Sequence, residues 1–565
     1  MLGKWRPEAA AISNTVIDRP DRSDTALRAT SSAQQKKSFL PLLLVIVAYV
    51  LVRAFYWDCQ PIWDGSAYST ALLSANKGHF DLLKFTLDEH IAQAFFLIMS
   101  IPCRLYKHNF YLFNVWLTLF GTLSVVAFHQ LLAFFCAGKA RASQLALVTA
   151  LFAFHPTVLA SMIHFTLDIG LLTFALCYWV LLLQKRVVLA TIAGVIFMLT
   201  KETATLLLPL FLLATLMMQP RGLRFAWLKR NCVAGIVPYV AWTAFFLYKG
   251  ARGHSAVWNQ YQTSGPFAAL LNAITPDVMM SNYAGLLFLL NFNWIFFLLW
   301  TGLFVMLWRK RHESELQPHF KAAVSIVLLF LLSSAAVFVV RPFSNARYLL
   351  VPIAIMLVGV GHLLLVQIRL RSFPLIGVVA LLGLLGIENF RTADPVSRAF
   401  FGTFDFGKHS LLSISRRTGE CNNFGRDQLV YNLQFLEFPR VIARMLEDLR
   451  PTPDTFVLCA PSANWLALPH LNNATCKPEF GLTRWFTPHY TDWYQDKDES
   501  KFTISGRAYA LAELPSSLYF VKFPNVDNQS NQRLLNILST RFSRKSEKVY
   551  DVDGYQITLV HFAEH

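Results

Sequence analysis

What most constrains this chain is a recurring length. Eleven apolar runs follow one another between residues 39 and 388, most of them close to what a helix needs to cross a hydrocarbon core about 30 Å thick. They fall at 39–57, 109–136, 143–161, 168–184, 187–200, 203–218, 232–248, 283–308, 322–340, 348–366 and 373–388. No water reaches backbone N–H and C=O groups inside a bilayer, so each run must satisfy its own as a helix. The 187–200 and 203–218 runs are short for full crossings and read equally as one broken hairpin. The expected fold is mainly α: a polytopic transmembrane helical bundle of about eleven spans.

Composition agrees. Of 565 residues 55% are hydrophobic and only 15% charged, against roughly 25% charged in soluble domains. The net charge of +17 raises nucleic acid as a partner until the basic residues are located. Lys139 and Arg141, Lys185 and Arg186, Arg221, Arg224, Lys229 and Arg230, then Arg309, Lys310, Arg311 and Lys321, then Arg369 and Arg371 occupy every second connector. Lys and Arg mark cytoplasmic loops, so the charge encodes orientation and no nucleic acid is needed. Residues 1–37 are polar and basic, with no apolar stripe, and are expected to form a disordered cytoplasmic tail. The run after them lacks an A-x-A cleavage site and reads as a retained first span.

With the N-terminus inside and an odd number of spans, residues 389–565 fall outside. Three segments on that side are too long for turns: 58–108, 250–282 and the tail. The tail reads as an extracytoplasmic α/β domain. Strands are expected at Phe456–Cys459, Ser517–Val521 and Tyr555–Phe562, and helices at Phe435–Leu449 and Gln532–Phe542. The division is 1–37, a transmembrane module 38–388 with first outer loop 58–108, and 389–565. Cys59, Cys421, Cys459 and Cys476 lie in the compartment that permits disulfides, with Cys459 and Cys476 closest in sequence. Asn473-Ala474-Thr475 and Asn528-Gln529-Ser530 are glycosylation sequons if the host is eukaryotic.

Ionisable groups at membrane depth are costly and therefore informative. Asp64, in Trp63-Asp64-Gly65-Ser66-Ala67-Tyr68, follows the first span; it suits an N-cap for a helix over Ser66–Ala75 or a carboxylate in a site, with Tyr68 one turn on. Asp88-Glu89-His90 precedes an amphipathic stretch, Ile91 to Leu105, and is either a charged helix start or an acid/base or divalent-metal cluster drawing on Glu89 and His90. His155-Pro156 and His164 to Asp168 sit at an outer junction, where a helix end and a solvated turn are the plain explanation. Lys201 and Glu202, in Thr200-Lys201-Glu202-Thr203, lie against the positive-inside trend; they either pair internally or face a phosphate. Arg341 and Arg347, with Tyr348 beside the latter, are also outside: arginine is the natural bidentate partner of phosphate, though it also snorkels to headgroups.

The ordered set resembles the GT-C superfamily of polytopic glycosyltransferases, on the protein O-mannosyltransferase and aminoarabinose-transferase branch (glycosyltransferase family 39-like). The matching elements are Trp63 to Tyr68 after the first span, Gly78, Asp88-Glu89-His90, Pro156 with Asp168, Leu199-Thr200-Lys201-Glu202, and Arg347-Tyr348-Leu349-Leu350-Val351-Pro352, across most of 39–388. Where some relatives carry an acidic pair, this chain has Asp64-Gly65. The resemblance implies transfer of a sugar from a polyprenyl or dolichyl phosphate to a protein, glycan or lipid acceptor on the extracytoplasmic face. Asp64 would be the catalytic base and Glu89 a second carboxylate, or a ligand with His90 if a divalent metal is used. Lys201 and Arg347 would neutralise the lipid phosphate; Tyr68, His90, Asp168, Glu202 and Tyr348 would line the substrate site. The expected membrane is a bacterial inner membrane, or the endoplasmic reticulum in a eukaryote. A transporter or carrier of an anionic lipid-linked substrate would use the same cations. It would also be expected to show an internal repeat with midplane charges, and the sequence shows neither.

Overall fold

The computed structural model describes residues 24–57, 68, 93–105, 110–136, 139–163, 165–251, 287–288, 290–314, 316–340, 346–368 and 372–389, and in the tail 405–406, 409–410, 444–445, 447–449, 456–459, 501–504, 507–522, 532, 535–552 and 555–565. The helices are α1 Asp24–Ala54, α2 Gln93–Leu105, α3 Phe110–Cys136, α4 Ala142–Ala153, α5 Pro156–Ser161, α6 Leu167–Leu183 and α7 Val187–Met198. They continue as α8 Ala204–Met218, α9 Arg224–Ala251, α10 Asn293–Arg309, α11 Gln317–Val340, α12 Leu350–Leu363 and α13 Ser372–Glu388. Among the described residues four helices are long and apolar enough to cross a membrane, over Asn114–Cys136, Arg221–Tyr248, Gln317–Val337 and Ala346–Val366. Seven shorter apolar helices of 10–17 residues accompany them. Each apolar run of the sequence coincides with one of these helices, and the chain is an integral membrane protein.

The differences have local causes. The expected 143–161 helix is two helices, because Pro156 cannot continue α4 and instead opens α5 at its first position, with His155 extended before it (φ −61°, ψ 127°). The 187–200 and 203–218 runs are separate helices, α7 and α8, joined by the turn that carries Lys201. The connector before the 232–248 run is mostly helical, since α9 begins at Arg224. Arg224 donates to Met217 O at 3.1 Å and Gln219 O at 3.4 Å, closing the last carbonyls of α8 with a cation.

Helix α12 is the axis of the bundle: all fourteen of its residues are buried. Helices α3, α4, α6, α10 and α11 pack around it. Small residues allow the approach, as TM helices require. At Gly359 an added Cβ would clash with Trp300 Nε1, and at Gly361 it would meet Leu132 Cδ2 and Val148 Cγ1 at 2.6 Å. Hydroxyl pairs add interhelical hydrogen bonds, such as Ser124 to Thr173 at 2.8 Å between α3 and α6. The outer faces of α1, α7, α9 and α13 present Leu44, Leu51, Val188, Phe225, Val240 and Ile376, as lipid contact demands.

In the tail, strands are β1 Asp405–Phe406, β2 His409–Ser410, β3 Val457–Cys459, β4 Lys501–Ile504, β5 Arg507–Ala510, β6 Ser517–Lys522, β7 Phe542–Val552 and β8 Tyr555–Glu564. The sheet order is β3-β6-β8-β7, with β3 parallel to β6 and the other pairs antiparallel. Leu458, Leu518, Phe520, Val560 and Phe562 of one face pack on Leu538 and Phe542. Strand β7 differs from the expectation. Its charged run Ser543-Arg544-Lys545-Ser546-Glu547-Lys548 hides the alternation, and the helical turn expected to reach Phe542 stops at residue 538.

Helix α2 docks on α6 at a close aromatic contact. Phe95 of α2, fully buried, lies on Gly170 of α6, where an added Cβ would come within 2.6 Å of its ring. Gly170→Ala should therefore destabilise the protein by about 1–3 kcal/mol through overpacking. Gly377→Ala, where nothing lies within 4 Å, should be neutral or slightly stabilising. Thermal unfolding in detergent would check both, and equal melting temperatures for the two variants would refute the packing account.

Candidate active site

Three separate parts of the chain bring ionisable side chains to one end of the bundle. The Pro156 break sends the chain through α5 and back into α6, whose first turn holds Asp168. The α7–α8 turn holds Lys201, between the C-cap Leu199 and the N-cap Thr203. A 3-10 turn, Ala346–Leu349, carries Arg347 and Tyr348 onto the head of the buried axis α12.

These residues meet. Lys201 Nζ donates to Asp168 Oδ1 in a short charge-assisted hydrogen bond. Arg347 Nε lies 3.5 Å from Asp168 Oδ2. Lys201 Nζ sits 4.3 Å from the centre of the Tyr348 ring and Arg347 Cζ 5.5 Å from it, both within cation–π range. Asp168, Lys201 and Arg347 are 3%, 3% and 4% exposed. In this trio one carboxylate faces two cations. The plain explanations weighed from sequence do not hold: Asp168 is not in a solvated turn, Lys201 pairs with Asp168 and not with Glu202, and Arg347 does not snorkel.

The first outer loop reaches the same place. Tyr68 is buried, its ring edge-on to Phe96 at 5.1 Å and to Phe165 at 5.9 Å, three residues before Asp168. The Ala94 N–H donates to Leu199 O at 3.2 Å, two residues before Lys201. Asp64, Glu89 and His90, and likewise Gly78, His164 and Arg341, lie outside the described residues. His155 joins a different set: its Nε2 is 2.8 Å from Asn293 Oδ1. Beside it Asn291 Nδ2 donates to Thr157 Oγ1 at 2.7 Å and Asn389 Nδ2 to Phe154 O at 3.0 Å. These amides hold Asn291 and Phe292 in left-handed conformations (φ 60° and 61°) ahead of α10.

Sequence reasoning passed over Arg53. It is fully buried in the last turn of α1, beside the equally buried Tyr49. The signal was available, since Arg53 is the sole charged residue of the 39–57 run. Among the described residues no group of three or more His, Cys, Asp or Glu is placed to hold a metal ion.

The described residues form a polytopic helical bundle with a buried ion cluster at one end, followed in the chain by a small sheet. Solved structures of ArnT from Cupriavidus metallidurans, one in the apo state and one bound to undecaprenyl phosphate, share this fold. Each aligns with a TM-score of 0.52 at 13% identity, covering 92% of this chain and 97% of that one. No family model and no curated protein matches the sequence. The GT-C architecture anticipated from the sequence is thus the one the chain adopts.

Removing one member of a buried ion pair strands the other, at a cost of about 3–5 kcal/mol. Asp168→Asn and Lys201→Met should each destabilise the protein by that order, while the double variant should lose clearly less than the sum. A double-mutant cycle of unfolding in detergent measures the coupling, and strict additivity would show that the pair is not energetically linked.

Proposed function

We propose that this chain is a membrane glycosyltransferase that moves a sugar from a polyprenyl or dolichyl phosphate to an acceptor hydroxyl or amine at the extracytoplasmic face. The observation that carries the reading is the buried Asp168–Lys201–Arg347 cluster, in which two cations converge on one carboxylate at one end of the bundle. Two cations held together suit the phosphate of a lipid-linked sugar. In this reading they meet the negative charge that grows as the sugar–phosphate bond breaks, which is how fixed cations favour a transition state. The structural likeness to ArnT bound to undecaprenyl phosphate supports the same donor class.

Orientation supports the face. Asp168 opens α6, and Lys185 with Arg186 follow its other end, 17 residues or about 25 Å away. Basic connectors belong on the cytoplasmic side, which assigns the cluster to the opposite one. The sheet-bearing tail, 389–565, follows α13 and is assigned to that side as a separate domain, with 38–388 as the catalytic module.

In this reading Asp64 is the general base. The acceptor oxygen or nitrogen attacks the anomeric carbon, its proton passes to the Asp64 carboxylate, and the C1–O bond to phosphate breaks with its electron pair leaving on the lipid phosphate. Lys201 and Arg347 neutralise that phosphate, while Asp168 holds the two cations and prevents their mutual repulsion from parting them. Tyr68, Tyr348 and Glu202 line the proposed substrate site. Chain geometry supports the part given to Asp64. It lies four residues before the anchored Tyr68, so their Cα atoms are at most about 14 Å apart. Glu89 and His90 precede Ala94, which is bonded to Leu199 O, by five and four residues; with a divalent cation they would supply a carboxylate and an imidazole.

Transfer from a labelled polyprenyl-phosphate sugar in membranes tests the proposal. Asp64→Asn should lower turnover by about 10²–10⁴-fold, the usual worth of acid–base catalysis, with donor binding retained. Undiminished turnover would remove Asp64 from the mechanism. Purified protein that moved the lipid across vesicles without altering it would favour a carrier instead.

A further inference from the structure

Two buried hydroxyls, each two residues along the chain from a member of the ion cluster, bond to nothing among the described residues. Thr166 is the N-cap of α6 and Thr203 the N-cap of α8, two residues from Asp168 and Lys201 respectively. An N-cap threonine ordinarily turns its oxygen toward the backbone N–H groups of its own first turn. Neither does so here. Both Oγ1 atoms are buried without a hydrogen-bond partner, in residues 2% and 5% exposed. Neighbouring threonines behave otherwise: Thr200 donates to Ile196 O at 2.6 Å, Thr205 to Glu202 O at 2.7 Å and Thr173 to Ile169 O at 2.8 Å.

Burying a hydroxyl with no partner is unfavourable, and folded proteins satisfy nearly all such groups. Valine would fill the same space without that cost. Two orphaned hydroxyls in the turns that carry the two members of one ion pair therefore point to a ligand that completes them. Its sign follows from the surroundings. Two of the three charged groups in the cluster are cations, and the hydroxyls belong to the N-cap residues of helices of 17 and 15 residues, whose dipoles favour an anion.

We propose that Thr166 and Thr203 donate hydrogen bonds to the non-bridging oxygens of a phosphate held by Lys201 and Arg347. The inference rests on the proposed lipid-phosphate donor, and it adds two neutral ligands to a site otherwise defined by its charges. Cations attract a phosphate but leave its rotation loose; two directional donors fix which oxygens face inward, and so the line along which the sugar leaves.

The test uses the full chain in detergent micelles, titrated with undecaprenyl phosphate and, as control, undecaprenol. The variants are Thr166→Val/Thr203→Val and, as rescue, Thr166→Ser/Thr203→Ser. The valine pair should bind undecaprenyl phosphate roughly tenfold or more weakly, as expected when hydrogen bonds to a charged group are lost. Its melting temperature without ligand should equal or exceed that of the wild type, because an unpaired buried hydroxyl has been removed. The serine pair should bind as the wild type does. Valine variants that bind normally, or that fail to fold, overturn the assignment and leave the threonines a structural part. If the wild type binds undecaprenyl phosphate no better than undecaprenol, the donor reading itself falls. If it binds selectively and only Lys201→Met loses that selectivity, the donor reading stands and the threonine assignment alone falls.

Discussion

A charge withdrawn from water must be met by an opposite charge at contact distance, and in a membrane there is almost nowhere else to find one. The pairing of Asp168 with Lys201, with Arg347 behind it, is this constraint in its local form. The three residues belong to segments far apart in the chain, so the pairing fixes how α6, the α7–α8 turn and the head of α12 sit relative to one another. The geometry of this end of the bundle depends on it. Tyr68 packs on the segment leading to Asp168, α2 hydrogen-bonds to the residue two before Lys201, and Tyr348 lies against both cations.

The helices were legible because the requirement that writes them is severe. A span must stay apolar along most of its length, so its run survives in the sequence whatever it packs against. Each of the eleven contains an apolar helix, although Pro156 splits one and the 283–308 run is α-helical from Asn293. Which polar residues would meet was legible only in part. Lys201 and Arg347 stood out as cations on the wrong side, and they do converge. Their true partner was obscured, because adjacent Glu202 offered a simpler pairing than a carboxylate 33 residues away. Arg53 was hidden by the run that contains it, since its neighbours make it read as part of a span. The tail was harder still. In β7 the exposed edge carries Arg544, Lys545, Glu547 and Lys548, and charges of this kind keep a sheet edge from pairing with other chains. The residues that protect the edge are the ones that disguise the strand.

The sheet contains one further instance of a buried group tuned by its surroundings. Tyr550, on β7, is shielded and faces Asp448, which also receives the ammonium of Lys548. Burial first, then the neighbouring carboxylate, push its phenol up to about 12, so it remains a neutral donor throughout the physiological range. Lys548 lies 5.1 Å from the same ring. The set joins the helical residues at 447–449 to the edge strand by contacts that do not depend on apolar area.

Helices α7 and α8 are 12 and 15 residues long, about 18 and 22 Å at 1.5 Å per residue. A hydrocarbon core is about 30 Å thick. A pair of helices this short, rising from one membrane surface, leaves its turn below the other, and the proposed orientation gives Lys201 that depth. A lipid whose headgroup is to meet that ammonium has to sink, or the bilayer has to thin around the protein until the two levels coincide. The acyl-chain length of the surrounding lipids thereby becomes a determinant of how readily the site is filled. The protein would work best in the thinner of two otherwise identical membranes.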